Sequence, residues 1–204
     1  MEPAVLWGRF VEEFATQLSN TCSGPAAERL RIAWTSGAAR TQFYGGCLLP
    51  RVAASLGLKI SYEAGKIDWT FSSEHPAKEV VAIESENVGG GIVSEEIPAL
   101  CRNRAPLKVL ITCQKWTQPP VECQTLLPKW EQGVARELGE DRSVVFGLIV
   151  GEMDPWDGSS GELKFHWHTL WPGAAKRNDE PTRSVFYRLH LPEPTGCPPG
   201  SVSS

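Results

Sequence analysis

Three carboxylates stand on two short runs that alternate in polarity. Asp68 lies in Lys66-Ile67-Asp68-Trp69-Thr70-Phe71, and Glu84 and Glu86 lie in Glu79-Val80-Val81-Ala82-Ile83-Glu84-Ser85-Glu86. In a strand successive side chains point to opposite faces. Ile67, Trp69 and Phe71 therefore oppose Lys66, Asp68 and Thr70, while Val81, Ile83 and Ser85 oppose Ala82, Glu84 and Glu86. If the strands pair with their apolar faces together, Asp68 joins Glu84 and Glu86 in one patch. Carboxylates crowded in this way repel, and desolvating them costs several kcal/mol per ion unless something positive is present. A hard divalent cation removes that cost, since Mg²⁺ is satisfied by one or two carboxylates, water and phosphate oxygens. Glu63, ending the preceding run, is a further candidate ligand, and Lys66, on the Asp68 face, is a candidate cation beside an anionic substrate. Lys108 is a second such lysine. The plainer use of the same residues is a solvated sheet face with Asp68 supporting a turn. His166 and His168 share a strand face and form a weaker candidate for Zn²⁺. A serine or cysteine hydrolase has no support, because G-x-S-x-G is absent and no cysteine signature occurs.

The chain that must position these groups has 204 residues, 41% hydrophobic and 22% charged, enough for one well-cored domain. The formal charge is −4. It is concentrated between Ile60 and Arg104, where eight acids face four bases, and the rest of the chain balances. No apolar stretch approaches the roughly 20 residues of a membrane span, and the first residues, Met1-Glu2-Pro3-Ala4-Val5-Leu6-Trp7-Gly8-Arg9, lack the pattern of a secretory signal. A cytoplasmic protein without membrane partners is expected. The six cysteines include no C-x-x-C pair and read as reduced thiols, mostly buried, and the eight tryptophans read as aromatic packing.

The elements that must hold the acids follow from periodicity. Val5–Leu18 repeats apolar residues at helical steps, with Glu12 and Glu13 outward. Asn20–Ala27 reads as a loop and Glu28–Trp34 as a helix. Thr41–Leu56 reads as a helix broken near Gly45-Gly46 and Pro50, with Gly57 ending it. Lys59–Glu63, Lys66–Phe71 and Glu79–Glu86 form a three-strand meander. Ser94–Arg102 reads as a helix with Ser94 as N-cap, although Pro98 sits late for it. Leu107–Cys113 is a strand covered on both faces. A helix from Cys123 to Leu138, capped by Gly139, precedes strands over Val144–Val150, Leu163–Leu170 and Val185–Leu191. Pro172–Thr182 is a polar excursion, and Pro192–Ser204 is expected to be a mobile tail.

The order of these elements resembles the PD-(D/E)XK nuclease superfamily. The resemblance rests on Ile67-Asp68-Trp69, on Glu84-Ser85-Glu86, and on the helix and apolar strand Leu107-Lys108-Val109-Leu110-Ile111-Thr112 that follow. It covers about a third of the chain and few fixed residues. It implies an α/β, restriction endonuclease-like αβββαβ core: a central mixed sheet flanked by helices, with extra C-terminal strands. The domain would span residues 1–191, with a helical N-terminal region over 1–57, the core over 58–150 and the C-terminal strands over 151–191. In the family pattern, the acids matching Asp68 and Glu84 bind Mg²⁺ (or Mn²⁺), helped here by the Ser85 carbonyl and by Glu63. Glu86 stands where the family usually has lysine, and some type II restriction endonucleases are similar here in carrying Glu-x-Glu. Glu86 would bind a second ion or take the proton of the attacking water, with Lys66 as the replacement cation. The implied activity is metal-dependent phosphodiester hydrolysis, the partner nucleic acid, DNA foremost, and a homodimer would serve to cut both strands of a duplex. Arg29, Arg31, Arg40, Arg102, Arg104, Lys176, Arg177 and Arg183 are the cations available to border a groove, a scattered supply in a chain of acidic pI. The alternative is a catalytically inactive nuclease-like fold serving as a binding or assembly module, with Glu86 marking the lost activity.

Overall fold

The computed structural model describes residues 1–21, 30, 33, 36–64, 67–75, 77–87, 91–114, 122–141, 143–154, 161–171 and 187–191. The expected helix at Glu28–Trp34, the excursion at Pro172–Thr182 and the tail fall wholly or mainly outside them.

The architecture is α/β, with a mixed sheet between helices. Seven strands lie side by side in chain order: β1 (Lys59–Ala64), β2 (Ile67–Ser73), β3 (Lys78–Ser85), β4 (Leu107–Cys113), β5 (Val145–Asp154), β6 (Gly161–Trp171) and β7 (Tyr187–Leu191). β1, β2 and β3 form the expected antiparallel meander. β3, β4 and β5 run parallel, and β6 and β7 continue antiparallel. Every residue of β4 is buried, as its unbroken apolar run requires of a central strand covered on both faces.

One face packs on the N-terminal helices. From α1 (Pro3–Thr21), Trp7, Phe10, Phe14 and Leu18 meet Phe71, Val81, Val109 and Phe165 of the sheet. The segment expected as one broken helix is α2 (Gly37–Phe43), a π-helical turn at Tyr44–Leu48, and α3 (Leu49–Ser55) with Pro50 in its first turn. The break falls at Gly45-Gly46 for a steric reason. A Cβ on Gly45 would lie 2.6 Å from the indole nitrogen of Trp69, so only glycine lets this turn approach β2. Gly57 ends the helical region with φ of 69°.

The other face is covered by the two crossover connections. β3 passes to β4 through a π-helical turn at Ile92–Glu96 and α4 (Ile97–Arg102), and β4 passes to β5 through α5 (Glu122–Leu138). Ile92, Ile97, Leu100, Trp130 and Val134 pack there on Ala82, Leu110, Phe146, Leu148 and Val150. The expectation of Ser94 as an N-cap is corrected: Ser94 lies inside the π-helical turn, its hydroxyl donating to the Gly91 carbonyl, and Pro98 occupies the first turn of α4. The π-helical turn ahead of Pro98 already departs from the regular α-helical ladder, which is where a proline is accommodated. Pro128 remains inside α5, and Gly139 follows that helix with φ of 58°.

Candidate functional site

Register brings Asp68 and Glu84 together. Trp69 pairs with Ile83 and Thr70 with Ala82, so one further step sets Asp68 opposite Glu84. Trp69 and Ile83 belong to the α1 side of the sheet and Ala82 to the α4–α5 side. Alternation from Trp69 and Ile83 places Asp68 and Glu84 on the face toward α4 and α5, although Ile67, expected beside Trp69 and Phe71, packs with the α4–α5 cluster instead.

The backbone of β3 completes this corner. The Glu86 N–H donates to the Ile111 carbonyl across the parallel pair, so the peptide groups of Ser85 turn the other way, toward β2. The Ser85 N–H donates to Asp68 Oδ2 at 3.0 Å, tying the carboxylate to the strand. Glu84 is only 4% exposed, and its Oε1 is buried with no hydrogen-bond partner among the described residues. Burial, then the charges of Asp68 and Glu96, push Glu84 up to about 9. In the absence of a cation it holds a proton at neutral pH.

Two further elements reach the corner. The π-helical turn carries Glu96, a half-buried carboxyl raised by burial and by the charges of Glu86, Asp68 and Glu95. From α2, Arg40 brings Nη2 to 3.7 Å from Glu86 Oε1; these side chains are 14% and 27% exposed. Arg40 also offsets the rise of Glu96. Ser36 caps α2 by accepting from the Ala39 N–H, and the Arg40 N–H donates to the Ser36 carbonyl, which fixes the turn bearing the guanidinium. Beyond Glu86, Asn87 Oδ1 accepts from the Cys113 N–H, and the Gln114 side-chain amide donates to the Asn87 carbonyl and Thr112 Oγ1. The exit of β3 is thus pinned to the end of β4.

Among the residues singled out from sequence, Asp68 and Glu84 stand opposite each other with the Ser85 N–H on Asp68, whereas Glu86 meets Arg40 and does not converge with them as a third carboxylate. Lys66 lies outside the described residues, as does the side chain of Glu63, together with Gly89 and Gly90 of the loop after β3. Lys108 is a correction. It pairs with Ala82 in the ladder and is 1% exposed, but its Nζ donates to the carbonyls of Asn103 and Ala105, each at 2.8 Å. Its ammonium satisfies carbonyls where α4 hands over to β4, directed away from the acids. Arg102 and Arg104 flank that same connection before β4, at the end of the sheet opposite the carboxylates, and do not border the site. Arg29, Arg31, Lys176, Arg177 and Arg183 are outside the described residues.

The histidine pair has a different surrounding from the acids. His166 and His168 are buried on the α5 side, and His166 Nε2 lies 3.3 Å from Glu152 Oε2 on β5. Burial, then neighbouring His166, lowers His168 to about 4, so it is neutral at physiological pH. Glu84, Leu110, Leu148 and His168 form one cross-strand row. Three strand spacings, roughly 14 Å, separate its ends.

No family model, curated protein or solved structure matches this chain. Its chemistry rests on the residues themselves. Among the described residues no three or more His, Cys, Asp and Glu side chains converge as a ready-made ligand set for a metal ion. A Mg²⁺ site does not need one, because the ion keeps several waters and takes one or two carboxylates. Asp68 with Glu84 supplies that donor set, and the unsatisfied Oε1 of Glu84 is the atom to which such an ion would bring a partner. Sequence reasoning misses Glu96, which looks like an acid of a helical first turn; its place beside Glu86 depends on the turn of chain between β3 and α4.

Proposed function

We propose that this corner is the metal centre of a Mg²⁺- or Mn²⁺-dependent phosphodiesterase acting on nucleic acid, built on a restriction endonuclease-like core of the PD-(D/E)XK type. The observation that carries the reading is a buried carboxyl oxygen, Glu84 Oε1, with no hydrogen-bond partner among the described residues, across the β-ladder from Asp68. An unpaired buried polar atom is costly, and such sites cluster where a ligand restores the balance. The order of elements supports the same reading: helix, antiparallel meander, helix, then a strand parallel to the third.

Asp68 and Glu84 would hold the ion, with the Ser85 carbonyl on the adjoining edge. A bound divalent ion supplies charge neutralisation at a phosphoryl oxygen and lowers the pKa of water. Asp68 is kept in place by the Ser85 N–H, so its geometry is set before any ligand arrives. Glu84 must give up its proton to act as a ligand. Glu86, more exposed and next to Arg40, is the carboxylate placed to orient a water and accept its proton. It does so where the family pattern has lysine.

The test is hydrolysis of labelled DNA and RNA by the full chain with Mg²⁺ or Mn²⁺, comparing wild type with Asp68→Ala and Glu84→Ala. The reading expects cleavage that falls by about two orders of magnitude or more in each variant, the scale of losing one electrostatic stabiliser of a charged transition state. Activity that survives both changes removes the assignment. Nucleic acid bound but never cut would favour the binding-module alternative.

A further inference from the structure

Arg104 and Lys108, which do not reach the carboxylate corner, border a space of their own at the other end of the sheet. A cavity of about 480 Å³ lies where α4 hands over to β4, and Lys78, Asn103, Arg104, Lys108, Asp141 and Ser143 are among the residues lining it. That volume falls within the roughly 300–1,000 Å³ of small-molecule sites. Its walls are fixed by hydrogen bonds. On one side the Asn103 side chain accepts from the Ala105 N–H at 2.7 Å and donates to Glu79 Oε2 at 3.3 Å, pinning the turn that carries Arg104 to β3. On the other, the Asp141 N–H donates to the Leu138 carbonyl, and the Asp141 carbonyl accepts from the Trp171 indole at 2.7 Å. Lys108 is 1% exposed, and its ammonium holds the Asn103 and Ala105 carbonyls on either side of Arg104. Those bonds use two of its three N–H donors, and among the described residues no carboxylate forms an ion pair with it. A buried charge is ordinarily paired, and two carbonyl dipoles do not cancel a full positive charge. Burial pulls the Lys108 pKa down, with Cys101 and Asp141 offsetting part of the fall.

We propose that this cavity binds a phosphate dianion, free or as the terminal group of a small organic molecule, with Lys108, Arg104 and Lys78 as its cationic ligands. The charge balance selects that ligand. Three cations border the cavity against one carboxylate among the described residues, Asp141, whose Oδ1 already accepts from the Ser143 N–H and hydroxyl. At neutral pH a phosphate monoester carries nearly two negative charges and three strong acceptor oxygens. It neutralises the positive excess, where a single carboxylate or a phosphodiester neutralises half of it. The planar fork of Arg104 suits two of those oxygens, and Lys108 supplies its remaining N–H. Lys78, exposed at the start of β3, adds charge from the solvent side. Because the turns bearing Arg104 and Asp141 are already held, little ordering is required on binding. The site lies at the opposite end of β3 and β4 from Asp68 and Glu84 and does not depend on the metal centre.

Calorimetric titration of the full chain with glycerol phosphate, inorganic phosphate and dimethyl phosphate, in a chloride buffer free of other oxyanions, tests the proposal. One site is expected for a phosphate dianion, with dimethyl phosphate at least about tenfold weaker. Arg104→Gln should lower the affinity about tenfold or more, the scale of a lost hydrogen bond to a charged group. Arg104→Lys should recover part of that loss, and Lys78→Ala should cost less. Asp141→Asn keeps an acceptor for Ser143 while removing the opposing charge, so it should tighten binding. Lys108 is followed without substitution: the nitrogen resonance of its ammonium should shift as the site fills. Thermal melts of each variant separate loss of binding from loss of fold. Tighter binding of glycerol phosphate than of inorganic phosphate assigns the organic source, and the reverse assigns the free ion. Absence of binding at millimolar phosphate, a diester bound as tightly as the dianions, or affinity unchanged in both Arg104→Gln and Asp141→Asn overturns the site.

Discussion

Glu84 is a carboxylic acid in a place that only a counter-ion makes suitable for a carboxylate. Its pKa is pushed up to about 9 from the ordinary 4.5, first by burial and then by Asp68 and Glu96. The folded chain thus retains a proton that the unfolded chain has lost between those two values. Stability is highest, as far as this group is concerned, below about 4.5 and declines as pH rises toward 9. Glu84→Gln, which removes the ionisation and keeps the shape, should flatten that decline and raise the melting temperature of the cation-free protein at pH 8–9. A gain of even about 1 kcal/mol would move the midpoint by roughly 2–4 °C in a chain of this size. Melts across the pH range check this, and a profile identical to wild type would mean that Glu84 is already ionised and compensated. Cation binding must displace the same proton, so affinity should climb with pH by up to about tenfold per unit until Glu84 ionises freely. The residues opposite each other at this corner were legible from parity alone, since Asp68 and Glu84 each oppose the apolar positions of their strands. Arg40 and Glu96 were not legible as partners. Nothing local to α2 or to Ile92–Glu96 says that these elements end at the same carboxylate.

At the scale of elements, the two π-helical turns hold the charged groups around the acids. One follows α2, which bears Arg40, and the other ends at Glu96. The first is readable from sequence as a break, from Gly45-Gly46 and Pro50, whereas the second is hidden because Ser94-Glu95-Glu96 imitates a helix start. Close approaches secure the sheet against the N-terminal helices. A Cβ at Gly147 on β5 would meet the Trp7 ring at 2.5 Å, and the Trp7 indole N–H donates to Thr169 Oγ1 of β6 at 3.1 Å. The indole cannot shift without giving up that bond. Gly147→Ala should therefore cost about 1–3 kcal/mol, the usual penalty of overpacking a close-packed interior. Urea unfolding would show it as a lower midpoint with an unchanged slope, and a neutral result would show that α1 is free to move off β5. Lys108 shows where a local pattern misleads: a lysine on the strand beside the acids donates to two backbone carbonyls at the far end of that strand.

Among the described residues, the two ends of the sheet carry different charged groups. The acids collect where β3 leaves the sheet, and Arg102, Arg104 and Lys108 gather where β4 enters it. The net −4 is thus no measure of the field at either end. The meander, the central strand and the helix that joins them were readable because alternation and apolar run length are one-dimensional signals. The parallel arrangement of β3, β4 and β5 is seen only in the structure, where helical crossovers connect them. Among the described residues no helix is long and apolar enough to cross a membrane. The central claim is that Asp68 and Glu84 jointly hold one divalent cation, and calorimetric titration with Mn²⁺ at pH 8 tests it without any assumption about substrate. The account predicts a single site in the wild type with proton release on binding, and a large loss of affinity in both Asp68→Asn and Glu84→Gln. No heat of binding, or a site unchanged in the two variants, would contradict it.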